Sequence, residues 1–111
     1  MRRRHALTEF ELLILLAVMR LGAEAYGVTV AREIEQRAGR TVLLGPLYTA
    51  LTRLEQNGLV SSTQGDPTPE RGGRSKRYFA ATRAGVRAVR EARAALTSMW
   101  TGVPQLKGAM G

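Results

Sequence analysis

The first regular pattern along the chain is an apolar run entered through polar residues. Thr8 stands where a helix N-cap is expected, and Glu9 and Glu11 fall in the first turn, where a helix dipole favours carboxylates. Phe10, Leu13, Leu16, Ala17, Met19 and Leu21 follow, apolar on nearly every side, so this helix is either central to a core or shared between subunits. Gly22 ends it. Tyr26-Gly27 opens a second helix in which Val30 and Ile34 recur at four-residue spacing, Ala38 would extend the series, and Gly39 is the stop. After a short connection from Thr41 to Leu44, Gly45 and Pro46 read as the N-cap and first residue of a third helix, because proline's missing N–H costs nothing there. Leu47, Leu51 and Leu54 at i, i+4 and i+7 fix its buried stripe, and Tyr48, Thr49, Thr52, Arg53 and Gln56 take the opposite face. Asn57-Gly58 is a left-handed helix stop.

Leu59 to Gln64 has the β-branched and polar mix of a short strand. The stretch from Gly65 to Gly73, broken by Pro67 and Pro69, cannot continue a regular element and reads as a long loop. Arg74 to Ala81 alternates as a returning strand, with Tyr78 and Phe79 on opposite faces. Thr82 caps a last helix containing Val86, Val89, Ala92, Leu96, Met99 and Trp100. Gly102-Val103-Pro104 ends it, and the remainder to Gly111 reads as a loose tail. The expected fold is mainly α with a two-stranded β wing.

Composition narrows the chemistry. A length of 111 residues fits one small domain, which as a monomer would bury only roughly 60–70% of its unfolded surface, so a partner subunit would add useful burial. There is no Cys and one His, His5, which removes a disulfide framework, a thiolate or His-rich metal site and an ordinary catalytic triad; no metal or cofactor is expected. The formal charge of +8 points to a polyanionic partner. Arg2-Arg3-Arg4, the run from Leu12 to Met19 and Ala23-Glu24-Ala25 imitate a signal peptide. However, Glu9 and Glu11 precede the run, Arg20 follows it, and its eight residues fall far short of the roughly 20 that span a bilayer. A cytoplasmic protein with no membrane partner is expected.

Helices two and three, joined by about five residues, form a helix-turn-helix, and the hairpin after them supplies a wing. The exposed face of the third helix offers a phenol, two hydroxyls, a guanidinium and an amide, groups suited to base edges in the major groove. The hairpin places Arg71, Arg74, Lys76 and Arg77 within seven residues, suited to lying along a minor groove. At this level the chain resembles the PadR family of winged helix-turn-helix transcriptional regulators, of the short kind with a single C-terminal helix. The resemblance is carried by Tyr26-Gly27, by Leu47-Tyr48-x-x-Leu51-x-Arg53-Leu54-Glu55-x-x-Gly58-Leu59, by Gly72-Gly73-Arg74-x-Lys76-Arg77-Tyr78-Phe79 and by Thr82-x-x-Gly85, and runs from about Leu7 to Ala95. Thr49 departs from it, where the family often has proline.

The resemblance implies a homodimer that binds an inverted repeat in double-stranded DNA near promoters, usually as a repressor. The last helix of one subunit would pack on the first helix of the other. The expected organisation is a basic arm at 1–6, a DNA-binding domain at 7–82, a dimerisation helix at 83–102 and a flexible tail at 103–111. The DNA-binding set is Tyr48, Thr49, Thr52, Arg53, Arg71, Arg74, Lys76 and Arg77; the dimer set is Leu12, Leu16, Met19, Val86, Val89, Leu96 and Trp100. Two roles stay open for several of these. Tyr48 either contacts DNA, which is preferred because three leucines already claim the core face, or covers the seam between helices. Arg53 contacts DNA or pairs with Glu55 or Glu33. Thr49 and Thr52 read bases or simply face solvent. Tyr26 reads as a packing residue rather than a DNA contact, and Arg2, Arg3 and Arg4 as a solvated terminus rather than a minor-groove arm. Some regulators of this kind hold flat aromatic compounds between paired tryptophans. Trp100, with Met99 and Leu96, could serve a small aromatic effector in that way, with Leu12, Leu16 and Met19 as further walls, although packing explains the same residues.

Two other classes compete. A basic RNA- or nucleoid-associated protein without sequence specificity fits the charge, but aromatic residues are only 5% of the chain and no exposed sheet carries stacking rings. An enzyme is not expected: Glu9, Glu11, Glu33, Glu35, Glu55 and Glu91 sit on helix exteriors or first turns, and no nucleophile–base pair or phosphate-cradling motif accompanies them.

Overall fold

Helix α1 (Glu9–Leu21) begins with a reciprocal capping box, as its Thr8 and Glu11 pattern allows. The Thr8 hydroxyl accepts from the Glu11 N–H at 3.0 Å, and Glu11 Oε1 accepts from the Thr8 N–H at 2.9 Å. The computed structural model describes residues 6–65 and 76–107, so Arg2, Arg3, Arg4, His5, Arg71 and Arg74 lie outside the described residues. Helix α2 spans Gly27–Ala38, α3 Leu44–Gln56, strand β1 Val60–Gln64, strand β2 Arg77–Ala81 and α4 Arg83–Trp100. The element order is the one the sequence pattern predicts.

The core is built where the stripes converge. Ile14, Leu15 and Val18 of α1, Val30 and Ile34 of α2, and Leu47, Leu51 and Leu54 of α3 are buried together with Val60, Phe79 and Val89. Ala38 does not extend the α2 stripe; it is exposed at the last turn, just before Gly39 takes a left-handed φ of 70°. The third helix also starts earlier than its Gly-Pro pair suggests. Leu43 is the N-cap and the first turn closes with the Leu47 N–H on the Leu43 carbonyl at 3.1 Å. Pro46 therefore occupies the third helical position, whose N–H has no intrahelical partner either. At the other end the Gly58 N–H reaches Glu55 O at 3.0 Å and the Leu59 N–H reaches Leu54 O at 2.9 Å, the double bond of a Schellman turn, with Gly58 at φ 77°. That bond uses Leu59, so β1 begins one residue later than the strand pattern suggests.

The two strands pair antiparallel, Val60 with Ala81 through Gln64 with Arg77. Tyr26 makes an isolated β-bridge to Tyr78 and the Phe79 N–H donates to Ala25 O at 2.8 Å, which ties the segment just before α2 to the wing's root. Helix α4 is capped by the Thr82 hydroxyl, which accepts from the Gly85 N–H at 3.0 Å. A Cβ at Gly85 would overlap the Leu59 carbonyl, which is why glycine stands where α4 crosses the strand entry. After α4 the chain does not simply loosen: Pro104–Leu106 forms a 3-10 turn, with the Leu106 N–H on Val103 O at 3.1 Å.

Candidate nucleic-acid interface

Helix α3 divides cleanly. Leu47, Ala50, Leu51 and Leu54 are buried, while Tyr48, Thr49, Thr52, Arg53 and Gln56 are exposed on the other face as the spacing requires. Tyr48 covers the seam between helices and also keeps a large exposed surface. Its side chain is 41% exposed, yet a Cβ on Gly27 would overlap its hydroxyl, so the phenol also lies against the first residue of α2. That close approach explains the glycine of Tyr26-Gly27, since any side chain there would displace the Tyr48 ring. The Thr49 hydroxyl donates to Gly45 O at 3.2 Å within its own helix, and Thr52 is exposed.

Arg53 pairs with neither Glu55 nor Glu33. Its Nη1 lies 3.9 Å from Oε2 of Glu11, whose side chain is buried, while Arg53 itself is about half exposed. The guanidinium therefore has one side on a fixed internal carboxylate and the other toward solvent. Burial of a carboxylate is costly without such partners. Glu55 instead binds the wing. Its Oε2 accepts from the Ser62 hydroxyl at 2.8 Å and its Oε1 from Arg77 Nη2 at 3.0 Å, while Arg77 Nε donates to Ser62 Oγ at 3.0 Å. Arg77 thus links wing to recognition helix through a neutral triad, and its cation is already balanced.

Lys76, the other described wing cation, has its Nζ 4.5 Å from the centroid of the Tyr26 ring, which packs edge-on against Tyr78 with centroids 5.5 Å apart. Tyr26 is half-buried in this stack, in keeping with its reading as a packing residue. Such an exposed cation–ring contact contributes only about 0.5–1 kcal/mol, so the ammonium stays available to a phosphate.

The first turn of α3 holds residues the sequence pattern assigned to a connection. Leu43 is 66% and Leu44 42% exposed, beside Tyr48. Nothing in the periodicity marks them, because Leu44 lies one turn before Leu47 and reads as more of the buried stripe.

The glutamates serve the fold. Glu33 takes Arg20 and Arg37 at 2.8 Å each, Glu9 takes Arg40 through both oxygens, and Glu35 accepts the Val42 N–H at 2.8 Å. Hydrogen bonding and charge from Arg40 lower the Glu9 pKa and raise that of Arg40, and hydrogen bonding from Arg20, then Arg37, lowers that of Glu33 against partial burial. Among the described residues there is no cluster of three His, Cys, Asp or Glu side chains able to hold a metal.

The profile of the PadR-like transcriptional regulator family matches residues 15–91. The chain belongs to the PadR-like family of transcriptional regulators. Solved structures agree with it. A PadR-like transcription factor from Bacteroides fragilis superposes with a TM-score of 0.71 at 26% identity, covering 81% of this chain and 82% of that one. A PadR family regulator from Eggerthella lenta gives 0.70 at 26% identity, with 90% and 82% covered. RosR of H. salinarum gives 0.65 at 31% identity, with 89% and 82% covered. No curated protein sequence matches. The fold is therefore a PadR-like winged helix with a C-terminal helix.

The dimer residues expected from the sequence fall along α1 and α4. Leu16 is 38%, Met19 40%, Leu96 55% and Trp100 51% exposed, and Leu12 and Val86 are half-buried. Val89 is buried against the chain's own core and shows only its remaining edge, at the floor of a groove between α1 and α4. Leu12, Leu16, Leu96 and Trp100 line that groove; Met99 is among the most exposed apolar residues of the chain, at 77%. Among the described residues no helix is long and apolar enough to cross a membrane.

Proposed function

We propose that the protein is a homodimeric, sequence-specific DNA-binding regulator that represses transcription from an inverted-repeat operator in the cytoplasm. The observation that carries this reading is the division of α3, whose apolar stripe is committed to the core while Tyr48, Thr49, Thr52 and Arg53 are exposed beside a basic hairpin. Dimerisation is supported by the open apolar groove of Leu12, Leu16, Leu96 and Trp100, which is self-complementary in kind and suits a two-fold contact. Two recognition helices would then lie about 34 Å apart, one turn of DNA. Arg71, Arg74 and Lys76 are the wing's phosphate contacts in this reading.

The test is fluorescence anisotropy with duplex DNA from upstream of the protein's own gene, competed by a scrambled duplex at near-physiological salt. Specific binding should exceed non-specific binding by roughly 10³-fold or more. With about eight phosphates covered, log affinity should fall against log salt with a slope near −7. Equal competition by scrambled and foreign promoter duplexes would leave a basic duplex binder, and equal affinity for RNA would favour the nucleoid or RNA reading.

A small aromatic effector is the second reading, favoured by the exposure of Trp100 and Leu96 in a groove of mainly apolar lining. Saturable quenching of Trp100 fluorescence by a planar aromatic compound, with matching release of DNA, would support it. Quenching without release would confine the compound to adventitious binding.

A further inference from the structure

Exposed leucines are out of place on a surface meant for a polyanion, and α3 begins with two of them. Leu43 is its N-cap and Leu44 its first residue, and Leu44, Tyr48 and Thr52 follow at four-residue spacing along the exposed face. Single exposed apolar side chains need no explanation. Here, though, Leu43, Leu44 and Tyr48 are 66%, 42% and 41% exposed and lie together at the helix end that enters the groove in this fold. They are not among the buried core residues, to which α3 contributes Leu47, Ala50, Leu51 and Leu54.

The surroundings select the partner. The first turn of α3 carries no acidic residue, and the one carboxylate on the helix, Glu55, is held by Ser62 and Arg77 at its far end. Just before this end Glu35 is taken up by the Val42 N–H, and the chain charge of +8 favours phosphate overall. The major groove offers one apolar group to such a surface, the 5-methyl of thymine. We propose that Leu44, flanked by Leu43 and the Tyr48 ring, is a specificity-determining contact for thymine methyl groups. Each half-site then carries thymine at the base pair facing the first turn of α3. Tyr48 is suited to this because its contact with Gly27 fixes the ring, so the apolar surface is presented preformed. The proposal rests on the DNA-binding reading given above, and its experiment separates the two.

A binding site is first selected from a random duplex library with the intact protein. The selected duplex is then made with thymine or with deoxyuridine, which removes the methyl groups and leaves every hydrogen-bonding group in place. The parent protein should prefer the thymine duplex by about fourfold for each buried methyl, the burial free energy of one such group expressed as a ratio, hence about fifteenfold over two half-sites. Leu44→Ala should bring the ratio below about twofold, and Leu44→Met, which keeps an apolar side chain, should retain it. Leu44→Gln takes the place of Leu44→Ala if the latter does not melt like the parent. A parent protein indifferent to the methyl groups overturns the proposal while leaving sequence-specific binding intact. An undiminished ratio in the Leu44→Ala and Leu44→Gln proteins also overturns it, since the methyl groups would then act on DNA shape or another residue. Failure to select any site would overturn the DNA-binding reading itself.

Discussion

The two halves of α4 are made of similar residues and have opposite fates. In the first half Thr82 caps the helix, Gly85 lies against the Leu59 carbonyl and Val89 is buried against the core. In the second half every residue from Arg93 to Trp100 is exposed, including Leu96, Met99 and Trp100. A solvent-facing amphipathic helix places its apolar residues inward. The first half obeys that rule within one chain, and the second obeys it only if another surface arrives. The difference separates residues that hold the domain together from those left open for the proposed second copy, although all of them sit on one continuous apolar pattern.

Substitutions in the outer half should give the largest effect. Leu96→Asp places a carboxylate in the expected contact and should weaken self-association by at least about 100-fold, since a central buried position is where truncation or charge costs most. The isolated domain should melt nearly unchanged. Sedimentation equilibrium reads the first quantity and circular dichroism the second. An unchanged association constant would mean that this half of α4 faces something other than a second copy.

In the inner half the order reverses. Gly85→Ala forces a methyl into the Leu59 carbonyl and should destabilise the fold by about 1–3 kcal/mol, through overpacking at a backbone contact. Denaturant unfolding at concentrations where the dimer is fully dissociated isolates this cost. If the loss vanished there, Gly85 would belong to the association surface and the division of α4 would be drawn in the wrong place.

The same contrast between committed and open residues runs through the wing, at a smaller scale. Arg77→Ala breaks the pair with Glu55, and because Arg77 is about half exposed the loss of stability should stay below about 1 kcal/mol. Its salt slope for DNA binding should match the parent's, since the triad is already neutral. Lys76→Ala should reduce the slope by about one per protomer. Equal reductions for both would put Arg77 on a phosphate after all.

Much of this was legible in the sequence, for identifiable reasons. The i, i+4, i+7 leucines of α3 fix which face is buried, so the exposed face follows by subtraction, and Thr8, Gly39, Gly58 and Thr82 mark helix ends through local chemistry. Other features depend on which partner a side chain finds. Arg77 reads as one more wing cation until the register places it beside Ser62 and Glu55. Arg53 is within reach of several carboxylates along the sequence, and only tertiary packing brings the buried Glu11 to it. Leu43 and Leu44 resemble core in the sequence, and the burial of Val89 against the chain's own core depends on how α4 crosses it.

The smallest effect concerns the acid side. Glu33 joins α1 to α2 by taking Arg20 and Arg37 together, and Glu9 joins the start of α1 to Arg40 beyond α2. Both carboxylates are held below the ordinary value of 4.5 by these guanidinium hydrogen bonds. A carboxylate of depressed folded pKa contributes stability that is present above its unfolded value and disappears as the pH falls through the folded one. The parent should therefore lose a little stability as the pH is lowered below 4.5, and none on this account between pH 5 and 8. Solvent screens such pairs, so the loss should shrink as salt is raised. Glu33→Gln should flatten the acid limb of the melting curve without moving the neutral plateau by more than the small worth of an exposed pair. A Glu33→Gln protein whose acid limb matches the parent's would show that the α1–α2 joint is held by Ile14, Val18, Val30 and Ile34 alone.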